Sequence, residues 1–155
     1  MTARRRLLVT ASAMVSLAAL TACEKPAPIV TVVNEGRSVY AEAGVWCFED
    51  QTGDECAQRN EDVPTLEVLP GTLGIDVDKE LADSRWIVTI VDPANPEQQQ
   101  VSSGVQEDKH YYAFDLPDLG PDAELLLTVR ALAEDDGQGG EPKARGSWQF
   151  QLVSR

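Results

Sequence analysis

An all-β fold, an immunoglobulin-like β-sandwich of about 7–9 short strands, is predicted by three observations. Runs of β-branched and aromatic residues recur from residue 29 to the end of the chain. Pro and Gly punctuate them, and the last run alternates apolar with polar residues at a period of two. A small β-barrel is the rival arrangement of the same elements.

Residues 29–33 are β-branched throughout and begin directly after Pro28, and Asn34-Glu35-Gly36 supplies a turn. Residues 38–48 carry Val39, Tyr40, Val45, Trp46 and Phe48, with Gly44 marking a bulge or bend. Residues 65–69 form a short strand between Pro64 and Pro70. After it, Leu73, Ile75 and Val77 alternate with Thr72, Gly74 and Asp76, which puts one apolar face on a sheet. Residues 79–83 read as a helical turn or loop. Residues 85–91 are apolar on both faces and are the expected centre of a sheet, ended by the turn chemistry of Asp92-Pro93-Ala94-Asn95-Pro96.

Residues 98–102 are polar enough for an edge strand, and residues 109–116 bring Tyr111, Tyr112 and Phe114 before Pro117 stops the ladder. Residues 124–133 and 145–153 read as a hairpin around the Gly-rich segment 135–140. In its second arm Trp148, Phe150 and Leu152 alternate with Ser147, Gln149 and Gln151.

Ahead of this domain, Arg4-Arg5-Arg6 precedes an uncharged stretch from Leu7 to Ala22 that ends in Leu20-Thr21-Ala22-Cys23. Such a stretch is too short and too rich in Ala and Ser for a stable membrane span, and it reads as an export signal. The four residues at its end resemble the bacterial lipobox, which makes Cys23 the expected site of lipidation. The expected organisation is a signal peptide at 1–22, a lipidated cysteine and Pro-containing tether at 23–28, and one β-sandwich domain at 29–155. More than one acyl chain is needed for a durable anchor. The expected location is therefore the extracytoplasmic face of the cell membrane, with membrane lipid as the partner of acylated Cys23.

Removal of residues 1–22 leaves ten basic against 26 acidic residues, a net charge of −16. That charge argues against nucleic acid and against direct adhesion to anionic lipid. With Cys23 assigned to lipid, Cys47 and Cys56 remain as an expected disulfide in an oxidising compartment. Their loop is too short to be the long inter-sheet bridge of an antibody domain.

No strong catalytic pattern emerges. His110 stands alone among Asp108, Lys109, Tyr111 and Tyr112, and no G-x-S-x-G elbow is present. Carboxylates cluster at Glu49, Asp50, Asp54, Glu55, Glu61 and Asp62, and again at Asp76, Asp78, Glu80 and Asp83. A glycosidase needs two such groups facing one another across a cleft, which spacing along the chain does not establish. The segment 134–140 has the oxygen-rich, Gly-bent character of a calcium loop, with Asp135 and Asp136 as weak ligand candidates, but it lacks an EF-hand register. Trp46, Trp86 and Trp148 each fall in an expected strand, as filling between two sheets or, alternatively, as a binding face.

At Cys23, Val45-Trp46-Cys47, Cys56-Ala57, Gly74-Ile75-Asp76-Val77 and Arg85-Trp86, the chain resembles a family of small actinobacterial lipoproteins of unknown function, domain of unknown function 2771. The resemblance runs through most of residues 24–153 and implies a lipid-anchored envelope protein; it supplies no activity, cofactor or ligand. The expected function is a non-enzymatic, membrane-tethered module, without a cofactor, that contacts another envelope component through a sheet face or its loops. A small-ligand or calcium-binding lipoprotein is the alternative, and a carboxylate-dependent hydrolase the third reading.

Overall fold

The computed structural model describes residues 26–47, 56–58, 62–95, 101–133 and 144–155. Their strands are β1 (Ile29–Asn34), β2 (Arg37–Glu42), β3 (Val45–Trp46), β4 (Ala57–Gln58), β5 (Thr65–Val68), β6 (Gly71–Val77), β7 (Arg85–Val91), β8 (Val101–Ser102), β9 (Tyr111–Leu116), β10 (Glu124–Leu132) and β11 (Ala144–Ser154). One helical turn, α1 (Lys79–Ala82), separates β6 from β7.

The strands form two sheets in a sandwich-like arrangement. The four-stranded sheet runs β2-β1-β6-β9, and the seven-stranded sheet runs β4-β3-β11-β10-β7-β8 with β5 pairing β11 in parallel. The two ladders do not join into one cylinder, so the barrel alternative is set aside for the described residues.

Local chemistry accounts for the first hairpin. β1 and β2 are joined by Glu35 and Gly36, at φ 46° and 79°, the two positive values that a type I′ turn requires. Asn34, at the end of β1, points into the molecule and is buried. Its Oδ1 accepts from the Leu69 amide at 2.8 Å, and its Nδ2 donates to the carbonyls of Leu69 and Thr72 at 3.2 and 3.1 Å. One side chain thereby ties the β1–β2 turn to the β5–β6 connection. Asp78 makes a second tie: it caps α1 by accepting from the Glu80 amide and also accepts from the Ile29 amide, both at 3.1 Å.

Residues 38–48 do not continue in one sheet. After β2 the chain leaves the four-stranded sheet at Ala43 and Gly44, the Gly44 amide donates to the Ser147 carbonyl at 2.9 Å, and β3 pairs with β11. Gly44 therefore marks a bend, the second of its two expected roles, at which the chain changes sheet, rather than a bulge within one strand. Together with the two-residue strands β4 and β8, this crossing raises the strand number above the expected range.

The expected sheet centre also moves. β10 and β11 occupy the middle of the larger sheet, whereas β7 is bordered by β10 on one side and on the other by the two residues of β8, continued by Ser103 and by a single bridge from Gln106 to Trp86. Both of its faces are apolar, yet only Trp86, Val88 and Ile90 enter the central core; Ile87 and Val91 are half-buried. The turn that follows β7 is organised by Asp92. Hydrogen bonds from the Asn95 side chain and the Ala94 amide hold its carboxyl below the usual carboxylate range.

Between the sheets, Val30, Val32, Leu73, Ile75, Val77 and Phe114 face Trp86, Val88, Leu127, Val129, Trp148, Phe150 and Leu152. The register explains how three tryptophans fit. Trp86 stands opposite Ala131, Ala131 opposite Gly146 and Gly146 opposite Trp46, so two large rings flank two small residues across four strands. Trp148 fills the space beside them, its ring 5.7 Å from that of Trp46.

A Cβ on Gly146 would lie 2.5 Å from Trp46 Cε3 and 3.2 Å from Trp148 Cη2. Gly146→Ala is expected to cost about 2–3 kcal/mol by overpacking, read as a lower urea midpoint with unchanged slope. No loss would mean that the two rings have room to part.

Ala27 and Pro28 are buried, and Trp148 Nε1 donates to the Pro28 carbonyl at 2.9 Å. Ala27 and Pro28 are therefore packed with the sheets, the indole finding an acceptor for its buried donor in the chain entering β1.

Candidate binding face

Cys47 and Cys56 are bonded at 2.08 Å, as expected from the sequence. Arg145 reinforces the chain beside them: its Nε donates to the Cys47 carbonyl at 3.0 Å, and its guanidinium lies 4.7 Å from the centre of the Trp46 ring and 3.8 Å from Glu80. The bridge thus belongs to the framework at the end of β3. Reduction is expected to lower stability by roughly 2.5 kcal/mol from the freed loop entropy, measured as the difference between unfolding midpoints with and without reductant. An unchanged midpoint would show that Arg145 and the ladder hold this loop without the bond.

The tryptophans take the first of their two expected roles, filling between the sheets, and the alternative of a binding face is corrected. Trp46 and Trp86 are fully buried and Trp148 is 1% exposed, so none offers a ring to a ligand. Their strands place them on the inner side of the larger sheet, where hydrophobic burial favours the largest apolar surfaces.

The other candidates are scattered. His110 is exposed just before β9, with Nδ1 3.4 Å from the Val77 carbonyl. Asp76, Asp78 and Asp83 are exposed; Asp78 is engaged in its cap, and Asp83 is paired with Lys79. Among the described residues no group of three or more His, Cys, Asp or Glu is arranged to hold a metal. Cys23, Glu49, Asp50, Asp54, Glu55, Glu61 and the loop with Asp135 and Asp136 lie outside the described residues. No helix among the described residues is long and apolar enough to cross a membrane.

A different surface gathers aromatic and polar side chains. On the outer side of the four-stranded sheet, Tyr40 of β2 stands opposite Thr31 of β1, Thr31 opposite Asp76 of β6, and Asp76 opposite Tyr111 of β9. This row crosses the whole sheet, about 14 Å at the usual strand spacing. Tyr40 is 70% and Tyr111 50% exposed. Beside the row lie Ser38, Val33, Gly74 and Ala113, also in direct register and all small or short.

Tyr111 reclines across this second row. A Cβ on Gly74 would collide with the Tyr111 phenol oxygen and would lie 2.8 Å from both Tyr111 Cε2 and Val33 Cγ2. Glycine inside a strand lowers its stability, and here it leaves the space into which the tyrosine folds down. The result is a low, broad face with an aromatic side chain at each margin and the Thr31 hydroxyl and Asp76 carboxylate between them.

The signal for this face was present as strand parity. Tyr40 shares its parity with Ser38 and Glu42, and Tyr111 with Ala113 and Asp115, so each tyrosine belongs to the polar side of its strand. Aromatic character alone pointed instead to the core. No protein-family model, curated protein or solved structure matches this chain.

Proposed function

We propose that this protein is a non-enzymatic, lipid-anchored module of the cell envelope, an immunoglobulin-like sandwich that contacts another envelope component through the outer face of its four-stranded sheet. The observation that carries the reading is the cross-sheet row of Tyr40, Thr31, Asp76 and Tyr111, with aromatic side chains exposed where a soluble sheet ordinarily keeps polar groups. The lipobox-like Leu20-Thr21-Ala22-Cys23 supports the anchor, and the resemblance to small actinobacterial lipoproteins agrees with it.

The burial of Ala27 and Pro28 gives that anchor a mechanical consequence. Cys23 is four residues from Ala27, a reach of at most about 14 Å, so acyl chains at Cys23 hold the sandwich against the bilayer. A partner would then be met close to the membrane plane.

The test uses the protein in its own membrane. Intact mass of the extracted protein reports the acyl chains and the loss of residues 1–22. A photo-crosslinking residue in place of Tyr40 is expected to capture one discrete neighbour, absent when the probe replaces the buried Val32. A Cys23 without lipid removes the anchor, and no discrete neighbour from Tyr40 removes the interaction.

A further inference from the structure

The sheet edges of this sandwich differ in how well they are covered. β4 and β8 are only two residues long. β2 lies against β5, to which Arg37 reaches with an ion pair to Glu67 at 2.5 Å, and its chain then crosses to the other sheet. β9 is different: it has six residues and pairs only with β6 among the described residues.

The hydrogen-bond phase of β9 follows from its register. The Val77 amide donates to the His110 carbonyl at 2.9 Å, which makes 77 and 110 a hydrogen-bonded pair. Antiparallel pairs alternate, so Tyr112, Phe114 and Leu116 bond to Ile75, Leu73 and Gly71. The amides and carbonyls of Tyr111, Ala113 and Asp115 consequently point away from β6, in the phase an added strand needs, and none has a partner among the described residues.

The usual protection of such an edge is reduced to the one charge of Asp115. Between Tyr111 and Leu116 there is no Pro, no Lys and no break in register with β6. The core rim beneath it is also incompletely sealed: Phe114 and Leu116 retain 9% and 7% exposure, whereas Leu73 and Ile75 on the neighbouring strand retain none.

We propose that the β9 edge accepts an extended cationic segment of another protein as an added strand. This deepens the interaction reading and rests on it. Main-chain hydrogen bonds to Tyr111, Ala113 and Asp115 supply attachment, and alternate apolar side chains of the guest cover Phe114 and Leu116. Charge selects the guest. Residues 105–122 carry Glu107, Asp108, Asp115, Asp118 and Asp122 against Lys109; Glu107 is paired with Arg85 at 3.0 Å and the Lys109 ammonium donates to Gln106 Oε1 at 3.1 Å, which leaves Asp108, Asp115, Asp118 and Asp122 to face the guest. A second copy of this chain is disfavoured, because its net charge, −16 once residues 1–22 are removed (ten basic against 26 acidic residues), repels its like.

The experiment presents detergent-extracted full-length protein with a synthetic peptide of about ten alternating Lys and Val residues, long enough to span the edge. Fluorescence polarisation gives the affinity, and hydrogen exchange locates the protected amides. Three results are expected: protection at Tyr111, Ala113 and Asp115; a loss of about tenfold or more when alternate peptide amides are N-methylated; and little binding of the Glu-Val counterpart. Ala113→Pro, which removes one outward donor at a position where an edge strand tolerates proline, is expected to weaken binding by a similar factor.

Equal binding of the N-methylated peptide overturns the proposal on the unmutated protein, since it reduces the contact to charge alone. Absence of binding, or protection confined to other strands, does so as well. A neighbour captured from Tyr40 alongside any of these outcomes leaves the interaction reading standing and removes only the β9 edge.

Discussion

Replacing Trp148 by alanine is expected to destabilise the domain by about 4 kcal/mol, within the range for emptying a buried tryptophan site. Trp148 is 1% exposed, and its ring packs 5.7 Å from Trp46 between Val129 and the entering chain. Its loss leaves a cavity that Gly146, with no side chain, does not refill. The Pro28 carbonyl also loses the indole donor now 2.9 Å away. Trp148→Phe separates the two contributions, because it keeps most of the ring volume and removes the donor; a cost of about 1–2 kcal/mol is expected for it. Urea denaturation followed by far-ultraviolet circular dichroism checks both, with the slope unchanged if only stability moves. A loss below about 1 kcal/mol for the alanine variant would contradict the close packing of Trp148 against Trp46.

Asn34→Ala is expected to cost about 2–3 kcal/mol although it removes a small side chain, since three backbone groups lose their partner together. The Leu69 amide and the carbonyls of Leu69 and Thr72 all bond to this one amide group. Asn34→Asp sharpens the test. Its carboxylate still accepts from Leu69 but faces two carbonyl oxygens in a buried position, which raises its folded-state pKa above the unfolded value. The variant's deficit relative to the natural protein should therefore be smallest at acid pH and grow as pH rises through that raised pKa. A deficit independent of pH would place the side chain in water rather than between the two connections.

The elements most visible in the sequence are those whose chemistry is local. Asn34-Glu35-Gly36 announces a tight turn. The alternation of Trp148, Phe150 and Leu152 identifies the inward side of β11 without knowledge of its neighbours. Where the sequence misled, the missing quantity was the partner. Residues 38–48 read as one strand because each half has a strand's composition; only the competition of β1 and β11 for those halves divides them at Gly44. The apolar stretch of β7 suggested a sheet centre, but β10 and β11 are longer and β11 is paired along both sides, by β10 on one and by β3 and β5 on the other.

The binding face illustrates the same division. Tyr40 and Tyr111 carry the right parity, yet they are seventy-one positions apart in the chain and meet in one row only through β1 and β6. Conversely, the aromatic residues that looked most suited to a ligand are those the core consumes. Ala27 and Pro28 read as part of a tether by composition, yet both are buried, and the Trp148 indole donates to the Pro28 carbonyl.

By itself, the sequence determined the all-β class, the principal strands, the first turn and the cysteine pair, because backbone preference and period-two burial act between near neighbours along the chain. The tertiary structure alone decided which strands lie side by side, that all three tryptophans face inward, and that β9 pairs on one side only among the described residues. Those outcomes depend on the summed burial and hydrogen bonding of segments far apart in the chain, an energy that no short stretch of residues contains.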